Sequence, residues 1–172
     1  AFEIGRWIEP RLEVPMEGVA RGTLRFRGAL KQPYLEGDLE IGPGYVEGVR
    51  FASLVAGGIS GTLSPLRVGL DLTLDRADIY GLEFDSVNAS GVVGPEITLA
   101  LHAVNDSIAI DLAGAALPRQ PGWVRIDSLR AQAGSLPSIH LLDPARIEVS
   151  RTRVSTDSVR LGSTFGRVRG SG

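Results

Sequence analysis

The chain has 172 residues, 43% of them aliphatic or aromatic, with 22 glycines, 10 prolines and no cysteine, which suffices for a folded domain and excludes both a disulfide scaffold and a thiolate metal site. Its net charge of −2 is unevenly spread: residues 1–118 carry nine basic and sixteen acidic side chains, residues 119–172 nine and four. The arginines of the basic end alternate with apolar residues, as on a solvated strand face, and no apolar run approaches the roughly 18 residues a membrane-crossing helix needs.

Residues 1–21 are the least patterned and are expected to form a lead-in. Pro10 and Pro15 limit any helix there, and Trp7 and Ile8 suit packing beneath the first strands. The opening, AFEIG, is not a signal peptide, and both ends are expected to continue into a longer polypeptide. Strand rhythm begins at Gly22, with Leu24 and Phe26 on one side of residues 23–27. Residues 34–41, YLEGDLEI, alternate again before the turn at 42–44. Residues 45–56 are less regular, with Val49 and Phe51 two apart and Leu54 off that register, which reads as a bulged strand or a short helical turn.

Residues 66–75, LRVGLDLTLD, are the clearest signal in the chain. Leu66, Val68, Leu70, Leu72 and Leu74 stand at every second position, so a strand shows one apolar and one polar face. Fully burying five such side chains is worth roughly 10 kcal/mol, so something must cover them. The same rhythm continues at 82–84, 87–93, 97–103 and 108–112. After the polar break at 117–122, a possible minor domain boundary, it resumes at 123–127, 129–133, 139–141, 146–149 and 158–161.

No stretch has the 3.6-residue period of an amphipathic helix, so no helices are expected to cover these strands. Short connections favour an antiparallel meander, which closes on itself, folds over as a sandwich or bends into a trough. In the first two the apolar faces cover each other; in the third an apolar ligand does. Gly28, Gly37, Gly61 and Gly91 recur inside strand patterns and permit sharp curvature or close approach.

Catalytic signatures are weak. The stretch 58–61, GISG, places its second glycine beside the serine, unlike a nucleophile elbow, and continues as strand. His102 and His140 occupy polar positions of alternating strands and stand alone in sequence. Asp71, Asp75 and Asp78 lack the oxygen spacing and glycine of a calcium loop, and 42–44 lacks the lysine of a phosphate-binding loop. Aromatics are too few in 119–172 for base stacking. The chain is therefore expected not to be an enzyme, to need no cofactor or metal, and not to bind nucleic acid.

Residues 107–117, SIAIDLAGAAL, followed by 122–130, GWVRIDSLR, resemble a passage of the TamB family, the translocation and assembly module subunits of the wider AsmA-like group. Residues 141–149, LLDPARIEV, extend the likeness through Leu142, Pro144, Ala145 and Ile147, with Ile139 and His140 near the place of the family's tryptophan. Residues 158–161 and 166–168 resemble its closing strands. Residues 22–39, GTLRFRGALKQPYLEGDL, resemble its recurrent glycine-apolar unit. The resemblance implies a periplasmic segment of a protein anchored in the inner membrane by a single helix, in a double-membraned bacterium. It also implies a TamA-like outer-membrane barrel as partner, through regions outside this segment, and a role in phospholipid transport between the membranes and in outer-membrane protein assembly.

The fold expected is all-β: antiparallel strands in a curved, trough-like or partly closed sheet with an apolar interior, spanning 22–172 after the lead-in 1–21. Its expected function is a hydrophobic conduit for phospholipid acyl chains. The groove residues expected are Leu24, Phe26, Leu39, Ile41, Leu66, Val68, Leu70, Leu72, Leu74, Ile97, Leu99, Leu101, Ile108, Ile110, Leu112, Val124 and Ile126. Two rival readings are a chaperone-like surface that pairs its edges with outer-membrane β-strand clients, and a purely structural spacer.

Overall fold

A computed structural model describes residues 2–3, 16–29, 31–46, 48–117, 122–149, 154–156 and 158–170. The described residues form strands and turns, with no helix among them. In chain order the strands are β1 (Phe2–Glu3), β2 (Met16–Glu17), β3 (Val19–Arg27), β4 (Tyr34–Ile41), β5 (Gly44–Val46), β6 (Val49–Phe51), β7 (Ser53–Leu63), β8 (Leu66–Ile79) and β9 (Leu82–Val93). They continue as β10 (Ile97–Val104), β11 (Ile108–Leu117), β12 (Gly122–Ala133), β13 (Ile139–Leu141), β14 (Ala145–Val149), β15 (Val154–Thr156), β16 (Val159–Ser163) and β17 (Gly166–Gly170).

Every pairing is antiparallel, and the sheet is a meander. The succession β3, β4, β7, β8, β9, β10, β11, β12 pairs each strand with the next. Several short strands are pieces of longer ones. β2 and β3, β4 and β5, and β6 and β7 each follow one another along a single rung, because β2 pairs with β5, β5 with β6, and β6 with the far end of β8. Beyond β12, β14 pairs with β12 and β15, while β13 pairs with β12 and β16, which carries β17. Among the described residues β1 joins only β3 and β17 only β16, so the sheet stays open.

Strand rhythm begins earlier than Gly22: β3 starts at Val19, and β1 and β2 also belong to the sheet. The proposed packing of Trp7 and Ile8 lies outside the described residues. The break at 117–122 is no boundary of the sheet, since Leu117 and Trp123 are register partners. The irregular stretch 45–56 is neither one bulged strand nor a helical turn: β5 and β6 pair as a hairpin, Val46 opposite Val49, and β6 leads through Ala52 into β7. Ala52 separates β6 from β7 and donates its N–H to the carbonyl of Asp75 at 3.0 Å, while Phe51 is buried against Gly44.

Cross-strand register sorts the apolar residues into rows on one face. One row runs Ile41, Leu54, Leu74, Val87, Ala103, Ile110, Ala131, and the next Leu39, Ala56, Leu72, Ala89, Leu101, Leu112, Leu129. A third holds Leu70, Gly91, Leu99, Gly114, Ile126 and Ala145, level with Leu24, Gly37 and Ile59 on the other side of a bulge. A fourth holds Phe26, Leu35, Gly61, Val68 and Val93, level with Ile97, Ala116 and Val124.

The face is creased between the second and fourth rows. A Cβ placed on Gly37 (φ +152) would fall on the carbonyl oxygen of Thr23, and one on Gly91 on that of Thr98; Gly22, Gly61 and Gly114 are equally hemmed in by neighbouring backbone. The adjacent strand thus lies where an apolar-face side chain would stand, so the sheet folds sharply toward that face. Irregularities gather at the same level. β7 carries a bulge at Gly57 and Gly58, with Gly58 at φ +59, and β12 carries one at Asp127. The rung of β13 and β14 is interrupted at 142–144. Bulges add local bend and twist, so the strands turn together along a line that crosses them.

Candidate functional site

The crease divides the apolar face into two wings that differ in cover. In the wing nearest the turn at 80–81, Ala77, Phe84, Val87 and Ala103 are buried and pack with Leu74, Ile79, Leu101, Ile108 and Ile110. Val87 is 2% exposed. A second cluster, Ala56, Ile59 and Val68 with Leu35, Leu39, Leu54, Leu63, Leu70 and Leu72, lines the crease. Each cluster draws only on hydrogen-bonded neighbours of one sheet. A sandwich core interleaves side chains from two sheets, and neither cluster does so.

The opposite wing is more open, although Val68 within it is buried. Phe26 is 66% exposed, Leu66 43% and Leu99 38%, with Leu24 and Val124 similar. No large side chain among the described residues is completely buried, so the apolar rows form a half-covered surface rather than a dry core. Water on such a surface is costly: each half-exposed leucine forgoes about 1 kcal/mol that full cover would supply. Contiguous apolar patches of this kind on folded chains mark ligand or partner sites.

Every groove residue expected from the sequence lies on this one face. Ile41, Leu74 and Ile110 share the first row; Leu39, Leu72, Leu101 and Leu112 the second; Leu24, Leu70, Leu99 and Ile126 the third level; Phe26, Val68, Ile97 and Val124 the fourth. Leu66 pairs with Leu63 beyond the fourth, and Ile108 with Ala133 before the first. Sequence reasoning missed Phe84 and Ala77, which anchor the buried wing. Their rhythm is displaced by one residue because Arg76, at φ +48, and Asp85 are skipped in the pairing of β8 with β9. The apolar pair Ala77 and Ile79, out of phase with Leu74, was the available signal.

The other face is polar. Thr73, Asn88, His102, Asp111, Arg130 and His140 form a row across it. His102 Nδ1 lies 2.7 Å from Asp111 Oδ1, and Thr73 Oγ1 donates to Asn88 Oδ1 at 3.1 Å. With Asp71, Ser90 and Ser128 these residues rim a shallow depression of about 490 Å³ floored by Ala100 and Ala113. Farther along, Trp123 is flanked by the guanidinium groups of Arg125 and Arg146, at 5.7 and 5.1 Å from its ring centre. The Arg125 pKa is raised, first by its hydrogen bond to Asp127, then by the charge of Asp127 and, after a small opposing effect of desolvation, of Glu96. Asp75 accepts from Ser53 Oγ at 2.9 Å, and Asp78 accepts from the Gly81 N–H at 2.7 Å. These carboxylates serve the polar face and a turn. No group of three or more potential metal ligands occurs among the described residues.

Among the described residues no helix is long and apolar enough to cross a membrane. Compared with protein-family models, with curated proteins and with solved structures, the chain matches none of them.

Proposed function

We propose that this chain is a segment of a TamB-like, periplasm-spanning protein and that its creased apolar face is a conduit for phospholipid acyl chains between the inner and outer membranes. The observation that carries this reading is the open wing: Leu24, Phe26, Leu66, Leu99 and Val124 are between 38% and 66% exposed on a face whose rows continue from strand to strand. The eight strands from β3 to β12 stack at about 4.8 Å each, so the rows run some 34 Å along the crease. An alkyl chain laid along that line meets apolar side chains at every strand. The sequence resemblance supplies the biological setting, including the inner-membrane anchor, the TamA-like barrel and the link to outer-membrane protein assembly. In this reading no residue performs covalent chemistry, and function is a continuous apolar surface.

The test compares two arginine substitutions. Leu99→Arg, on the open wing, is expected to leave the unfolding free energy in urea within about 1 kcal/mol of the parent while lowering bound phospholipid, measured by mass spectrometry of lipid extracted from the purified chain. Val87→Arg, on the covered wing, is expected to cost about 4 kcal/mol or to unfold the chain. Cooperative unfolding by Leu99→Arg would mark the open wing as packed core, and a lipid-free parent chain would end the conduit reading. Crosslinks from strand edges to unfolded outer-membrane proteins, with none from the groove to lipid, would favour the chaperone reading.

A further inference from the structure

The sheet shows within itself how a strand that bears arginines is matched. On the polar face of β3, Arg21 stands opposite Glu40 and Arg25 opposite Glu36, and Arg27 is ion-paired with Glu36. β4 supplies these acids by alternation: Asp38 and Glu40 flank Leu39, whose side chain belongs to the second groove row. Opposite charges directly across a strand pair attract, and like charges there repel.

β17 repeats the arginine pattern without such a neighbour. Arg167 and Arg169 lie on the polar face, on either side of Val168. β16, which alone pairs with β17 among the described residues, sets Gly162 opposite Arg167 and Arg160 opposite Arg169. Arg160 already holds Asp143, Nη1 to Oδ2 at 3.0 Å, whereas Arg167 and Arg169 are exposed and make no ion pair among the described residues. The apolar side is unfinished as well: Leu141 stands opposite Leu161 and Leu161 opposite Val168, which is 69% exposed at the end of that row. Such an edge strand presents unpaired backbone N–H and C=O groups to a further strand. A second copy of this chain fits it poorly. Antiparallel pairing of two β17 strands about Val168 sets Arg167 against Arg169 twice, and β3 of a second copy brings Arg21, Arg25 and Arg27.

We propose that the edge of β17 receives an extended strand of another polypeptide in which acidic residues flank an apolar one, as Asp38 and Glu40 flank Leu39 in β4. The acids face Arg167 and Arg169 on the polar side, and the apolar residue continues the groove row beyond Val168. Backbone hydrogen bonds supply the attachment and the two arginines the choice of partner. This interface stands apart from the conduit reading, since it needs no lipid. It also differs from general capture of unfolded strands, because it selects acidic alternation and rejects basic alternation.

The test titrates the purified chain into fluorescently labelled peptides and follows their anisotropy. One peptide alternates glutamate with valine, a second alternates lysine with valine, and a third is the glutamate peptide with every second amide N-methylated. The glutamate peptide is expected to bind about tenfold more tightly than the lysine peptide at low salt, the gap narrowing at roughly 0.5 M salt. N-methylation is expected to abolish binding, because one edge of the peptide then lacks its donors. Arg167 and Arg169 are exposed, so the double variant Arg167→Glu, Arg169→Glu keeps the fold and is expected to reverse the preference toward the lysine peptide. Equal binding of the two charged peptides, an unchanged preference in the double variant, or undiminished binding of the N-methylated peptide overturns the proposal. So does self-association of the parent chain in sedimentation that the double variant abolishes, which would assign the edge to a second copy.

Discussion

Gly91 shows how one residue shapes the groove. It stands between Leu70 and Leu99 in register, at a position where alternation calls for an apolar side chain, and the carbonyl of Thr98 occupies the space that side chain would need. Any Cβ there must push the β10 backbone away, which opens the crease. Gly91→Val is therefore expected to lower stability by about 2–3 kcal/mol in urea unfolding, despite raising strand propensity. Gly170→Ala, at an open position with nothing near its Cβ, is expected to be neutral within about 0.5 kcal/mol. Equal effects at both sites would mean that the crease does not depend on close approach. The sequence marked Gly37, Gly61 and Gly91 as places for curvature, and all three are hemmed in by backbone; Gly28 instead sits just past the end of β3, in the turn toward Gln32.

Among the elements, β7 is where register is most finely set. Its bulge at Gly57 and Gly58 adds one residue relative to both β4 and β8, so Ala56 and Ile59, three apart, both face the groove. The Gly58 N–H is held by Asp38 Oδ1 at 3.2 Å. Removing the extra residue would leave Ala56 and Ile59 two apart in plain alternation, so Ile59, Gly61 and Leu63 would still face the groove and only the local bend would be lost. Deletion of Gly58 is therefore expected to keep a cooperative urea transition at a cost of about 1 kcal/mol from the lost bend, and one glycine inserted in the connection 94–96 is expected to leave it nearly unchanged. A deletion variant without a cooperative transition would show that β7 depends on the bulge itself and not on alternation alone. The stretch 58–61, a near match to a hydrolase motif by composition, is thus a bulged strand.

For the molecule as a whole, one sheet with two unlike faces makes a prediction with period two. Photocrosslinkers placed in turn at Leu70, Asp71, Leu72 and Thr73 are expected to capture lipid at Leu70 and Leu72 and not at Asp71 and Thr73, because neighbouring residues of β8 point to opposite faces. Crosslinking without alternation would show that lipid reaches the chain nonspecifically. The wings are unequal: the cluster around Phe84 and Val87 is buried, and Phe26, Leu66 and Leu99 are exposed.

The sequence by itself determined that the chain is built of strands and which side chains share a face. Alternation is local, and neighbouring side chains of a strand must point opposite ways, so Leu66 to Leu74 and the matching residues of β3, β4, β10, β11 and β12 could be assigned without coordinates. It did not locate the bulges, because the extra residue at Gly58 or Asp127 is defined only against a partner strand, and for the same reason Phe84 and Ala77 were missed as the anchors of the covered wing. Whether the apolar faces would cover each other was also beyond it, since a sandwich, a barrel and a trough all present the same alternation. Tertiary structure decided that point: the strands bend together at glycines where backbone meets backbone, one wing closes on itself, and the other is left apolar and open.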